Sequence, residues 1–164
     1  KRYIYIYFIL IFKLLIMAFI KYIFIFATVL FKFSFPQADI IADVWKSPTC
    51  QCCNEWIDYI KKHKFKVYSN NSGNKSIREK YGYDEKLSSC HTAIIQGYIV
   101  EGHVPVEDIL KLIEIKPKNV LGITVPNMPI GSPGMDHPSY GKKQSFDVLL
   151  IKKDGSTTEI FNRY

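Results

Sequence analysis

Three of the chain's four cysteines stand together in Cys50-Gln51-Cys52-Cys53. The tetrapeptide holds a C-x-x-C frame (Cys50 and Cys53) and a C-x-C frame (Cys50 and Cys52), so it suits thiol–disulfide exchange, soft-metal binding or a plain disulfide. The fourth cysteine, Cys90, is followed directly by His91, and His103 stands between Gly102 and Val104-Pro105. Two methionines flank a run rich in proline and glycine, Met128-Pro129-Ile130-Gly131-Ser132-Pro133-Gly134-Met135. Thiolates suit zinc, Fe–S clusters and Cu(I), and thioether ligands shift the balance toward Cu(I). Methionine is ordinarily a core filler, a role that fits poorly in such a loop. Two structural disulfides are disfavoured, because the adjacent Cys52 and Cys53 would have to join separate bridges. The candidate metal ligands are therefore Cys50, Cys52, Cys53, Cys90, His103, Met128 and Met135, with His91 second to His103. His63, on a lysine-rich helix end, and His137, in the tail of the loop, read as bystanders.

The elements that must position these groups follow from pattern. Residues 40–45 form a short strand rich in branched side chains. Lys46-Ser47-Pro48-Thr49 breaks it, with Ser47 or Thr49 available to cap a helix running to about residue 63, whose inward face is Trp56, Ile57 and Ile60. The cysteines then fall at the helix start, where orphan N–H groups and the macrodipole favour a thiolate. A second strand is expected at 65–68, a short helix or turn at 77–83, a strand at 92–95 and its hairpin partner at 98–100. Pro105 suits the first position of a helix to about 115, with Val106, Ile109, Leu110 and Ile113 as its apolar stripe. A loop follows at 125–142, and the chain closes on a hairpin with strands at 146–151 and 157–161 around Asp154-Gly155. The order predicts an α/β domain of thioredoxin-like plan, a sheet flanked by helices, extended by the Met/Pro/Gly loop and the C-terminal hairpin. In that plan the turn before the third strand lies against the thiol pair and normally carries a cis-proline. Here Cys90 stands there instead.

Charge and hydropathy separate an N-terminal block from this domain. Residues 1–38 hold five basic side chains and no acidic one, which leaves 17 basic against 15 acidic and a net of +2 for the remainder. The net charge of +7 is thus mostly N-terminal, and nucleic-acid binding loses its main support. The block is apolar and aromatic, broken by Lys13, Lys21 and Lys32 into runs shorter than a membrane span. It reads as a signal peptide or a membrane anchor over 1–38, with Met17 as a possible start, an apolar region at 22–31 and cleavage after Ala38. Either form exports the domain at 39–164, so the expected location is periplasmic or otherwise extracytoplasmic, with membrane contact only through an uncleaved N-terminal segment.

Several separated motifs carry a family resemblance. Ser47-Pro48-Thr49-Cys50-x-Cys52-Cys53-x-x-Trp56, Ser89-Cys90-His91-Thr92-Ala93, Val100-Glu101-Gly102-His103-Val104-Pro105, Val125-Pro126-x-Met128-Pro129-x-Gly131-Ser132-Pro133-Gly134-Met135 and Phe146-Asp147-Val148-Leu149-Leu150 recur in order. Together they resemble the CopG-type copper-resistance proteins, a bacterial family long catalogued as a domain of unknown function, over roughly residues 40–161. The resemblance implies a periplasmic protein of thioredoxin-like fold that binds copper through its cysteine cluster, often encoded beside copper-efflux or multicopper-oxidase systems. Cys50, Cys52, Cys53 and Cys90 match the family's cysteines, His91 and His103 its histidines, and Met128 and Met135 its methionine loop. Gln51 departs from the glycine expected within C-x-C-C, which allows less backbone freedom there.

The expected function is an exported copper-binding protein for copper tolerance, holding Cu(I), in which bridging sulfurs allow a multinuclear cluster. The rival is a thiol–disulfide oxidoreductase or copper redox enzyme with Cys50 as nucleophile and Cys53 as resolving thiol. A combined role would couple thiol redox to Cu(I)/Cu(II) cycling. Nothing in the sequence resembles a phosphate loop, an EF-hand or a hydrolase triad.

Overall fold

The computed structural model describes residues 2–30, 39–156 and 159–164. The expected cleavage point at Ala38, Lys32 and the first two residues of the strand expected at 157–161 lie outside them. Two compact units are present, Lys1–Ala38 and Asp39–Tyr164. The first is helix α1 (Arg2–Leu30). Its side chains from 10 to 23 are all exposed. Among the described residues no helix is long and apolar enough to cross a membrane.

The second unit is built on one sheet of seven strands in the order β2-β1-β3-β4-β5-β6-β7. β1 (Ile40–Lys46) pairs parallel with β2 (Phe65–Asn70) and antiparallel with β3 (His91–Ile95), which pairs antiparallel with β4 (Tyr98–Glu101). These four strands, with helices α2 (Gln51–Lys62) and α4 (Val106–Ile115), reproduce the expected α/β order of a sheet flanked by helices. α3 (Lys75–Tyr81) fills the second crossover. β6 (Asp147–Lys152) and β7 (Ile160–Arg163) make the expected terminal hairpin. The link that pattern reading missed is β5 (Val120–Thr124), parallel to β4 and antiparallel to β6. It is only five residues long, and the register shifts between Val120 and Gly122, so alternation is lost where it would have been diagnostic.

Period-2 alternation divides the core between the two faces. Ala42, Val44, Ala93, Ile95, Val100, Ile123 and Val148 pack with Trp56, Ile57 and Ile60 of α2 and Val106, Ile109 and Leu112 of α4. Ile99 and Ile151 pack with Tyr83 and Leu87 in a smaller cluster. Three local expectations are corrected. No Ser or Thr caps α2: Cys50 itself occupies the N-cap in extended conformation, without a side-chain cap bond. Pro105 is likewise the N-cap of α4 and not its first residue. Leu110 is exposed, and Leu112 takes its place in the core, because Asp108 also turns inward to accept hydrogen bonds from Asn162 and Tyr164.

The register sets the geometry of the site. Lys46 at the end of β1 lies opposite His91 at the start of β3, and Thr92 opposite Glu101 at the end of β4. The start of α2, the Cys90 turn, the His103 segment and the residues after β5 therefore converge on one end of the sheet.

Candidate metal centre

The first turn of α2 presents three cysteines with three different environments. Cys50 and Cys53 are joined as a disulfide, with Cys53 fully buried beside the Cys90 carbonyl. Cys52 and Cys90 are free thiols, so the arrangement with two bridges does not form. The Cys52 sulfur lies 3.6 Å from that of Cys50, 4.0 Å from that of Cys90 and 4.0 Å from the thioether of Met128. All four cysteine sulfurs lie within 4.8 Å of one another.

Cys90 is also the vertex of a second group. Its sulfur is 3.3 Å from His91 Nδ1 and 3.1 Å from His103 Nε2, and these three residues again have ligand atoms within 4.8 Å of one another. His103 Nδ1 donates to the Pro133 carbonyl at 2.8 Å, which leaves the Nε2 lone pair facing Cys90. Both rings are buried, and His91 packs against Trp56 at 4.4 Å between centroids with the rings tilted by 41°. His91 Nε2 is buried without a hydrogen-bond partner. Burial lowers the pKa of both histidines, and for His91 the neighbouring His103 adds to the effect, so both are neutral and able to ligate near pH 7. Burial pushes the Cys90 thiol the other way, up to about 12, reinforced by Cys52. A soft metal must therefore displace a proton from Cys90 on binding.

The methionine loop folds back onto α2. Gly134, at φ +80, lies so close that a Cβ there would stand 2.6 Å from the Trp56 nitrogen and 3.0 Å from the Cys52 carbonyl. Trp56 in turn donates its indole N–H to Val104 O at 3.0 Å, which ties the helix to the His103 segment. The loop brings in its two methionines unequally. Met128 is half exposed with its sulfur over Cys52, whereas Met135 is bound through its backbone to Ser132 and Gly131 and makes no sulfur contact with a cysteine among the described interactions. His63 and His137 are exposed and bonded locally to Tyr59 and Ser139.

Sequence reasoning passed over Glu101, which is wholly buried. Its carboxylate accepts from the Ser89 backbone N–H at 2.6 Å, the Tyr83 hydroxyl at 2.7 Å and the Thr92 hydroxyl. Burial nevertheless raises its pKa to about 7. The available signal was a carboxylate at the end of an apolar strand opposite a threonine.

Comparison with known proteins agrees with the motifs. The chain is similar to two solved structures of copper resistance protein CopG, described as Form 1 and Form 2. Each shares 34% sequence identity at a TM-score of 0.69, covering 77% of this chain and 98% of the other. The chain belongs to the CopG copper-resistance family. A family model described as a protein of unknown function, DUF411, matches residues 87–135, the CopG segment from the Cys90 turn through the methionine loop. No curated protein matches the chain.

Proposed function

We propose that the domain is an exported copper-binding protein serving copper tolerance, with Cu(I) as its cargo. Cys50, Cys52, Cys53 and Cys90 would supply thiolates, His103 and His91 imidazole nitrogens, and Met128 a thioether, with Met135 shielding the site or completing it. The observation that carries this reading is the convergence of four sulfurs, one thioether and two neutral imidazoles, with Cys90 common to the thiol and imidazole groups. That donor set is soft, and the thioether distinguishes it from a zinc site. Membership of the CopG family supports copper as the metal. Four thiolates at this spacing allow sulfurs to bridge, and hence a multinuclear cluster. The N-terminal segment is read as the exporting leader or anchor, so the domain is proposed to work in the periplasm or another extracytoplasmic space, and the family resemblance adds copper-efflux or multicopper-oxidase proteins as proposed partners.

A second reading is favoured by one observation, the Cys50–Cys53 disulfide across a C-x-x-C frame at a helix N-terminus. In it the pair exchanges with an external dithiol, and two electrons and two protons convert the disulfide to two thiols. The same reduction precedes full Cu(I) loading, so the two readings share a reduced state. Replacement of Cys52 by Ser separates them. The copper reading predicts that reduced Cys52→Ser protein loses Cu(I), whereas the exchange reading predicts that it keeps its dithiol-exchange activity through Cys50 and Cys53. Cu(I) binding at the wild-type stoichiometry in that variant would overturn the copper reading.

A further inference from the structure

We infer that Ser89 is a positioning residue, which sets the place of the Met128 thioether relative to the Cys90 thiolate. The inference rests on the Cu(I)-binding reading above and adds a residue to it that carries no ligand atom.

The two sulfurs come from different parts of the chain, and each is preceded by one member of a contact pair. Ser89 precedes Cys90, and Asn127 precedes Met128. The Ser89 hydroxyl donates to the Asn127 carbonyl at 2.5 Å, and the Asn127 N–H donates back to Ser88 O at 3.4 Å. The pre-β3 turn and the methionine loop are thus fastened one residue upstream of both ligands. Asn127 stands in the left-handed region at φ 62, a conformation that asparagine adopts more readily than most side chains and that suits it to this turn. The Met128 side chain is only half covered, at 47% exposed, and its sulfur meets Cys52 at 4.0 Å. The position of that sulfur therefore depends on the backbone just before it.

The Ser89 side of the clamp is rigid. Its N–H is held by the buried Glu101 carboxylate at 2.6 Å, and its carbonyl accepts from Asn74 Nδ2 at 3.2 Å. Glu101 is itself fixed by Tyr83 and Thr92. Gly102 keeps the space open beneath: a Cβ there would stand 2.5 Å from the Ser89 hydroxyl and 2.6 Å from Val125 O. A serine held on three sides and spending its hydroxyl on the neighbouring loop does more than cap a turn. It carries the register of β3 and β4 into the loop that bears the thioether.

The test is a double-mutant cycle on reduced, oxygen-free protein, with Cu(I) affinity read by competition against a chromophoric Cu(I) chelator. Wild type, Ser89→Ala, Met128→Leu and the double variant are compared. Each single substitution is expected to lower affinity about tenfold, the lower end of what loss of a supporting group around a metal typically costs. The double variant should lose no more than either single one, because Ser89 acts through Met128. General loosening of the fold would not produce that non-additivity. Losses that multiply in the double variant, or wild-type affinity in Ser89→Ala, would overturn the inference while leaving the copper reading intact. Failure of wild type to bind Cu(I) would overturn the copper reading itself. Should Ser89→Ala not fold, Ser89→Thr keeps the hydroxyl and should bind Cu(I) within about twofold of wild type. A loss there comparable to that of Met128→Leu would count against the clamp.

Discussion

Replacing Gly134 by Ala puts a methyl group where the methionine loop touches α2. The added Cβ would stand 2.6 Å from the Trp56 nitrogen and 3.0 Å from the Cys52 carbonyl, the nearer contact falling about 0.8 Å inside ordinary van der Waals distance. Neither neighbour can yield, since both are backbone of the turn that carries Cys52 and Cys53, anchored by the fully buried Trp56. The loop must lift instead. A comparable movement at the adjacent Pro133 would stretch its 2.8 Å bond from His103 beyond hydrogen-bonding range and release the ring that faces Cys90. The φ of +80 adds a left-handed penalty of about 1–2 kcal/mol for alanine, and the lost bond about 1 kcal/mol. Metal-free Gly134→Ala should therefore be about 2–3 kcal/mol less stable to urea. Its Cu(I) affinity should fall about 10- to 100-fold, measured by chelator competition on reduced protein. Wild-type values of both stability and Cu(I) affinity would refute the packing of the loop on α2 as the device that completes the site.

Two further outcomes follow from the same geometry. With its pKa raised to about 7, Glu101 binds a proton more readily folded than unfolded, so its stabilising contribution is full below the ordinary glutamate value of 4.5 and is lost as pH rises through about 7. The stability of Glu101→Gln relative to wild type should then rise by at most about 3 kcal/mol between pH 4 and 8, because the amide never ionises. Urea unfolding of both proteins reads this difference, from which the common contributions of His91 and His103 cancel, and a difference constant with pH would contradict it. Met128→Leu should cost more Cu(I) affinity than Met135→Leu in the chelator assay, since only the Met128 sulfur is placed over Cys52. The reverse order would show that the loop rearranges on loading.

Spacing was enough to single out side chains that the structure brings together, because C-x-C-C, the Cys90-His91 step and a Met/Pro/Gly loop have few bland explanations. Short runs of branched and aromatic residues bounded by turn signals such as Gln96-Gly97 and Asp154-Gly155 recovered β1 to β4 and the terminal hairpin. β5 escaped because Gly122 and the shifted register beside it erase the alternation. On α4, Leu110 and Leu112 are equally apolar, and the choice between them was made by Asp108, whose partners Asn162 and Tyr164 are more than fifty residues away. The finer features of the site are of this long-range kind. The His103 tautomer depends on the Pro133 carbonyl, and the Cys90 turn depends on Glu101, Asn74 and Asn127. The choice of Cys50 and Cys53 for the disulfide was open in the tetrapeptide, where Cys52 offered an alternative partner.

The central claim is that the four thiols serve one soft metal site. Its most direct measurement is copper content together with free-thiol count on protein reduced and handled without oxygen. The account predicts that Cu(I) saturation removes all four thiols, Cys50, Cys52, Cys53 and Cys90, from titration. Free thiols persisting at copper saturation would contradict it.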